Sequence, residues 1–522
     1  MARGTYVLAV DWNGDDDFSD AGEDVTARTL SVEWRRGNDY ASQLVGKAVA
    51  GALIAELNNE SGDYSTFNTS SPLTGNLVPG RKVKLTGNDG STTATLWTGF
   101  LDSIEPIPSL GPNKARLRAI GALGYLNKFE VSTTMFANKK AGELVGEVLD
   151  VAGWNDDDRD LDTGIVTFPR FWTERVKTFD ALRIIEETET GLLEESADGK
   201  IVYRDRHARS KDTRSTASQA TYSDASGAAL SYSHIAQIDP LKFIFNELRA
   251  KVQLHSGAWI LDSSALGTQT ELADDAEVLW THPEVNQLSP SISAGATRTF
   301  TAAYPTSGTV STSAAVDFWT SLTASTDYLA NDSADGTGTN RTSDITVSLT
   351  KRAQSMDIAL TNGHSGTVYV TKLQAQGHKV TVQDPVEITA IDATSQTAFG
   401  KRTYPHPGKF VPDTEEAQNW ADFHVATWKD PVPLLRLTMV GNRSTATLTD
   451  IYAREISDLV TVVATNDAGL GINEDFFVEQ VHHQLDAQLN HRATFTLSQA
   501  SGYAGFFIVD ASSLGNSTRL AY

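Results

Sequence analysis

Apolar and polar positions alternate through the first 127 residues of the chain. In RTLSVEWRRG, Leu30, Val32 and Trp34 alternate with Ser31, Glu33 and Arg35, the period of two of a strand with one buried face. The same period returns at Val83 and Leu85 in RKVKLTG and at Leu117 in ARLRAIG. Short alternating runs separated by Gly, Pro and Asn predict a β-sandwich or barrel over residues 1–127.

From Ala141 the period lengthens. In AGELVGEVLDVAGW, Leu144, Val148 and Val151 fall on one helical face, and in TFDALRIIEETET, Leu182 and Ile185 do so before Gly191 stops the helix. GLLEESADGKIVYRDR reads as a hairpin turning at Asp198-Gly199. Residues 128–236 are therefore expected to form an α+β connector. A second β-domain is expected over 237–395. It carries a Ser/Thr-rich β insertion at about 289–375, which includes the run Ala314 to Trp319 and the strands DITVSLTKR and GTVYVTKLQ. In 396–522, DTEEAQNWADFHVATWKD predicts a helix capped by Asp413 and Glu416, with Trp420, His424 and Trp428 on one face and Pro431 and Pro433 beyond its end. LVTVV, DFFVEQVHHQL and ATFTLSQA return to strands. The expected fold class is mainly β with α+β parts. No repeat of fixed period is visible in the sequence.

The stretch DWNGDDDFSDAGEDVTAR spaces Asp11, Asn13, Asp15 and Asp17 as calcium loops space their oxygen ligands. Such a loop wants Gly at its sixth position and Glu at its twelfth. Here Asp16 and Gly22 stand there, and Glu23 comes one residue late. The expectation is a structural acidic turn, with calcium binding left open.

Composition removes several classes of function. The 522 residues are 40% hydrophobic and 21% charged, as in globular proteins. No apolar run is long enough to span a membrane, and MARGTYVLAV lacks the pattern of a signal peptide, so neither stable membrane insertion nor that secretory route is expected. With no cysteine, thiolate metal sites and cysteine nucleophiles are excluded. The net charge of −23 disfavours gripping nucleic acid through its phosphates, yet suits a wall past which DNA slides. There is no HExxH helix and no GxxxxGK[ST] loop, and His482-His483 sits in an alternating strand that puts one His on each face. Among 66 acidic residues no glycosidase pair stands out. No catalytic, cofactor-binding or metal-ligating residue is assigned, and no cofactor is expected.

Taken in order, several segments resemble phage tail-tip hub proteins. They are DWNGDDDFSDAGEDVTAR, WRRGND, ALIAELNNESGDYSTFNTSSPLTGNLVPGRKVKL, LWTGFLDSIEP, FDALRIIEETETGLLEESADGKIVYRDR, AFGKRTY, TEEAQNWADFHVATWKDPVP, SDLVTV and the closing strands through ATFTLSQA. The resemblance spans most of the chain apart from the Ser/Thr-rich insertion. It implies a non-enzymatic virion protein similar to the contractile-phage baseplate hub: a homotrimer whose two barrel-like tube domains per subunit match a six-fold tail tube. Implied partners are the distal tail protein or tail tube, the tape-measure protein and tail fibres or receptor-binding proteins, with DNA passing through unbound. Two alternatives stand beside it. One is a polysaccharide-binding module using Trp319 or Tyr304 of the insertion, although aromatics in such loops are mostly buried. The other is a tail-borne cell-wall hydrolase.

Overall fold

The computed structural model describes residues 3–38, 48–238, 243–256, 259–261, 269–271, 276–283, 289–304, 315–406, 408, 410–466 and 469–500. They are mainly β, with several sheets and interspersed helices. Part of the insertion, including Ala314, lies outside the described residues, as does the end of the chain from residue 501.

The largest sheet has twelve strands and draws on both ends of the chain. Its first six are β1 (Thr5–Val10), β2 (Thr29–Asn38), β3 (Ala48–Asn58), β4 (Lys82–Asn88), β5 (Thr93–Ile107) and β6 (Lys114–Ile120). The other six are β7 (Ala220–Ser223), β8 (His234–Ile238), β9 (Leu434–Val440), β10 (Leu459–Ala464), β11 (Ile472–Leu485) and β12 (His491–Gln499). The N-terminal six lie in the order β1-β4-β5-β6-β3-β2, and the C-terminal six in the order β7-β10-β11-β12-β9-β8. Each strand of the second set occupies the place of the strand six numbers lower in the first, so the sheet is a duplicated six-stranded unit.

Local geometry repeats as well. In the first unit β5 carries a bulge between Leu101 and Ser103 against β6, and in the second β11 carries one between Val478 and Gln480 against β12. Leu101 exchanges hydrogen bonds with Gly80 and Arg81, each 2.7 Å, while Val478 exchanges them with Ser457 and Asp458 at 2.8 and 2.9 Å. Gly80 and Ser457 both have positive φ, 89° and 65°. Such agreement in bulge, bonds and backbone reaches beyond strand order, because bulges set where a strand bends and twists. One pairing differs: β1 runs antiparallel to β4, and β7 parallel to β10.

Alternation explains the core. Val32, Trp34, Val83, Leu85 and Leu117 are buried, and they join Leu437, Val460, Val478, Phe495 and Leu497 of the second unit in one continuous hydrophobic cluster. Among the described residues the strand path of this sheet stays open, ending at β1 and β8.

Between β6 and β7 lies the connector. Helix α1 (Ala141–Val151) buries Leu144 and Val148, but Val151 in its last turn is 47% exposed because the helix stops there. Helix α2 (Thr178–Glu189) buries Leu182 and Ile185 and ends at Thr190, which takes a left-handed cap conformation one residue before Gly191. The hairpin Leu192–Glu195 with Ile201–Arg204 turns at Gly199, φ 84°. All the rest of the middle of the chain is inserted between β8 and β9. There a five-stranded and a three-stranded sheet enclose their own core, with Leu279, Phe300, Met356, Leu360 and Leu373 inside. DITVSLTKR and GTVYVTKLQ are strands of it, Ile345–Lys351 and Val368–Lys379. Helix α3 (Thr414–Trp428) is capped by Asp413, whose side chain accepts the Glu416 N–H at 2.8 Å, and it buries Trp420, His424 and Trp428. A last helix, α4 (Thr445–Ala453), links β9 to β10.

Candidate assembly surface

The two six-stranded units meet where β2 pairs antiparallel with β11, Val32 opposite Leu485 and Gly37 opposite Gln480. On that side β11 carries two strands end to end: β10 on its first half, from Ile472 to Phe477, and β2 on its second. Gly37 makes the approach feasible. Its φ is +104°, and a Cβ there would sit 2.4 Å from the Glu479 carbonyl oxygen.

Two buried clusters fasten the junction. In the first, the Trp34 ring stacks on His483 with centroids 4.8 Å apart and planes 3° from parallel. His483 Nδ1 and His491 Nε2 share a 2.9 Å hydrogen bond, as do His491 Nδ1 and the Tyr6 hydroxyl. Burial pushes the His491 imidazole down to about 3, and burial followed by the neighbouring His491 holds His483 well below the usual range. Both rings are therefore neutral at physiological pH. His482 points to the other face and lies 2.8 Å from Glu33.

The second cluster is ionic. Arg209 of the connector grips Glu479 of β11 with two bonds of 2.7 and 2.9 Å, and Asn38 of β2 and Ser498 of β12 donate to the same carboxylate. Burial pushes the Glu479 carboxyl up, but Arg209 and these donors overcome it and hold the group below its ordinary range. Arg36 of β2 reaches Glu455 at 2.7 Å and the Glu195 carbonyl at 3.3 Å. Glu195 accepts the N–H groups of Gly51 and Leu123, yet burial pushes its carboxyl up to about 7. Sequence reasoning passed over these residues. Their signal was a charge in the buried phase of a strand, Arg36 following Val32 and Trp34 at the same period of two.

On the first unit the place corresponding to this junction has no strand among the described residues. There β4 covers β5 from Thr93 to Phe100, and the second half of β5 carries β6 on one side only. Glu105 and Pro106 are exposed along it, and Pro108 just beyond its end. Proline lacks an N–H and is confined to such edges. The solvent face beside the junction carries both signs: Glu33, Glu56 and Asp486 stand among Arg116, Arg118 and Arg492.

Of the other residues singled out in the sequence, Trp319 is buried and donates its Nε1–H to the Arg352 carbonyl, so its ring is not open to a sugar. Tyr304 is half-buried against the insertion's core. Asp11, Asp15 and Glu23 come together, whereas Asn13 bonds Asp15 and Asp20, and Asp17 bonds Ser19.

No protein-family model matches the chain, and no curated relative does. Over nearly its full length the chain is structurally similar to phage tail proteins. It is similar to a tail protein from Neisseria meningitidis, at 10% identity and a TM-score of 0.49, covering 95% of this chain and 98% of that one. A prophage 43 kDa tail protein from Shewanella oneidensis is similar at 12% identity and a TM-score of 0.45, covering 96% and 99%. A type VI secretion system component from E. coli is similar at 8% identity and a TM-score of 0.37, covering 90% and 73%.

Proposed function

We propose that three copies of this chain form the hub of a phage tail tip, a structural ring that closes the distal end of the tail tube and surrounds the path of DNA and the tape-measure protein. The observation that carries this reading is the duplicated six-stranded unit. One chain supplies two wall units joined edge to edge, so three chains supply six, which matches a three-fold ring to a six-fold tube. The ordered sequence resemblance to hub proteins supports the same assignment. In the ring, β8 of one copy takes beside the second half of β5 in the next copy the place that β2 takes beside β11 within a chain. Repeating one head-to-tail contact in this way closes a ring. Carbonyl groups of Pro106 and Pro108 can accept bonds there but return none, so this contact is weaker than the internal one. Because the solvent face of the sheet is of mixed sign, a ring wall built from it is not uniformly acidic. The distal tail protein, fibres and receptor-binding proteins attach outside the ring, in the virion.

Equivalent registers put Ile238 in the place of Arg35 and Glu105 in the place of His482, a directly opposed pair in the β2·β11 ladder. Opposed antiparallel residues lie about 4.5–5.5 Å apart at Cα, within reach of a disulfide. In this cysteine-free chain the double variant Glu105→Cys/Ile238→Cys should, on oxidation, yield a covalently closed trimer, while Arg35→Cys/His482→Cys cross-links within one chain. A native mass showing a trimer without the first cross-link would discard the β5·β8 contact and leave the hub. A monomer in the presence of the distal tail partner would discard the hub.

A further inference from the structure

The acidic stretch after β1 is folded so that two of its carboxylates are buried. Asp11 and Glu23 are 1% and 2% exposed. Backbone pairing sets them side by side: the Val10 N–H donates to the Glu23 carbonyl at 3.0 Å, the Val25 N–H to the Leu8 carbonyl at 2.9 Å, and Trp12 Nε1–H to the Gly22 carbonyl at 3.1 Å. One carboxylate oxygen from each of Asp11, Asp15 and Glu23 lies within 4.8 Å of the other two. An ion at the centre of three such oxygens lies at most about 2.8 Å from each, so a small inward turn of the exposed Asp15 side chain brings all three to the calcium–oxygen range of roughly 2.3–2.6 Å.

Two of the three groups are held by the loop itself. Asp11 accepts N–H bonds from Gly14, Asp15 and Asp16, and Asp15 accepts from Asn13 and Asp17. Glu23 is different. Its Oε2 accepts the Asp20 N–H at 3.0 Å, but its Oε1 is buried with no hydrogen-bond partner. A buried carboxylate oxygen left unsatisfied is costly, and more so beside two further carboxylates. Burial, and after it the charges of Asp11, Asp20 and Asp15, push the Glu23 carboxyl up against the hydrogen bond from Asp20. The nearby cations are engaged with other atoms: Arg81 donates to the Asn13 carbonyl at 3.0 Å, and Lys82 pairs with Asp16 at 2.7 Å. The two departures from a calcium loop seen in the sequence are also resolved. Asp16, in the place of the sixth-position glycine, adopts φ 71°, and the late Glu23 arrives through the strand-like return of the chain.

We propose that Asp11, Asp15 and Glu23 bind one calcium ion, which pins the chain's return at Glu23–Val25 to β1 at the end of the sheet. An all-oxygen set of carboxylates, open to water on the side of exposed Asp15, suits a hard cation of flexible coordination better than zinc or magnesium. The site fixes one wall unit of the hub and is independent of how copies associate.

The full chain, stripped with chelator and titrated with calcium chloride in a calorimeter, should bind one equivalent and show a raised thermal midpoint. Terbium chloride should give luminescence on excitation of tryptophan, with Trp12 next to the Asp11 ligand, competed by calcium but not by equimolar magnesium. Asp15→Asn, on an exposed side chain, and Glu23→Gln should each weaken calcium at least tenfold, with the far-ultraviolet circular dichroism unchanged in Asp15→Asn. Absence of heat and luminescence at millimolar calcium would overturn the site. So would binding that both variants leave intact.

Discussion

The two six-stranded units share strand order, bulge and the hydrogen bonds around it, yet differ at one edge. In the C-terminal unit the second half of β11 is covered by β2 and surrounded by Trp34, Arg209 and a neutral histidine pair. In the N-terminal unit the matching half of β5 is left uncovered on that side among the described residues, with Pro106 in it and Pro108 just past its end. An internal junction can bury charge and aromatic rings because it forms once, during folding. An edge that meets another molecule later must remain soluble and must not pair indiscriminately, which proline and charge at the edge provide.

Variants can break or sharpen this contrast. The largest effect is expected at the junction's ionic cluster, because removing one partner leaves a buried charge unpaired. Glu479→Ala should cost about 3–5 kcal/mol in equilibrium denaturation. A loss under about 1 kcal/mol would mean that Arg209 finds water, and that the junction is looser than its geometry.

Acid comes next. His491 and His483 are depressed when folded, so the unfolded chain binds more protons between about 6.5 and, for His491, about 3. Their contribution is complete above pH 6.5 and is lost as pH falls through that window, by roughly 1.4 kcal/mol per pH unit for each histidine. Glu195 acts in the opposite sense. Raised to about 7 from 4.5, it contributes stability below pH 4.5 that is lost as pH rises to 7. The thermal midpoint should therefore fall from pH 6.5 to 4.5, where Glu195 offsets only one of the two histidines, and fall about twice as steeply below 4.5, and His491→Gln should flatten the fall. An equally steep fall in that variant would place the acid sensitivity elsewhere.

A smaller effect tests the repeat itself. Gly80 has φ 89° and open space for a Cβ, whose nearest neighbour would be Tyr125 at 3.7 Å. Gly80→Ala should therefore cost only its backbone strain, about 1–2 kcal/mol. Ser457 bears a comparable strain in the wild type, so Gly80→Ser should fold with a similar loss and keep the Leu101 bulge. The smallest effect on stability belongs to Pro106→Ala, within about 0.5 kcal/mol. It restores an N–H at the edge and should tighten association between copies, read by light scattering. Unchanged association would remove this edge from the assembly surface.

Much of the local structure was legible. Trp34, Val83 and Leu117 announced their strands by alternation, the Asp413 cap opened its helix, and Asp198-Gly199 turned its hairpin, since each signal is confined to a few adjacent residues. The candidate surface was less legible. Arg36 stood in the buried phase of its strand, but its partners Glu455 and Glu195 come from distant segments. The acidic loop showed its ligand spacing, yet Glu23 was out of register until the chain's return was seen.

By itself the sequence determined the strand periods, the helices, the absence of cysteine chemistry and an order of segments like that of tail-tip hubs. Only the tertiary structure decided that the two ends of the chain repeat one unit and share one sheet. The physical reason lies in what each level encodes. Alternation says that a strand buries a face, whereas its partner is selected by packing and register across any distance in sequence. With the connector inserted between β6 and β7 and the rest of the middle of the chain between β8 and β9, no fixed period survives for the eye to find.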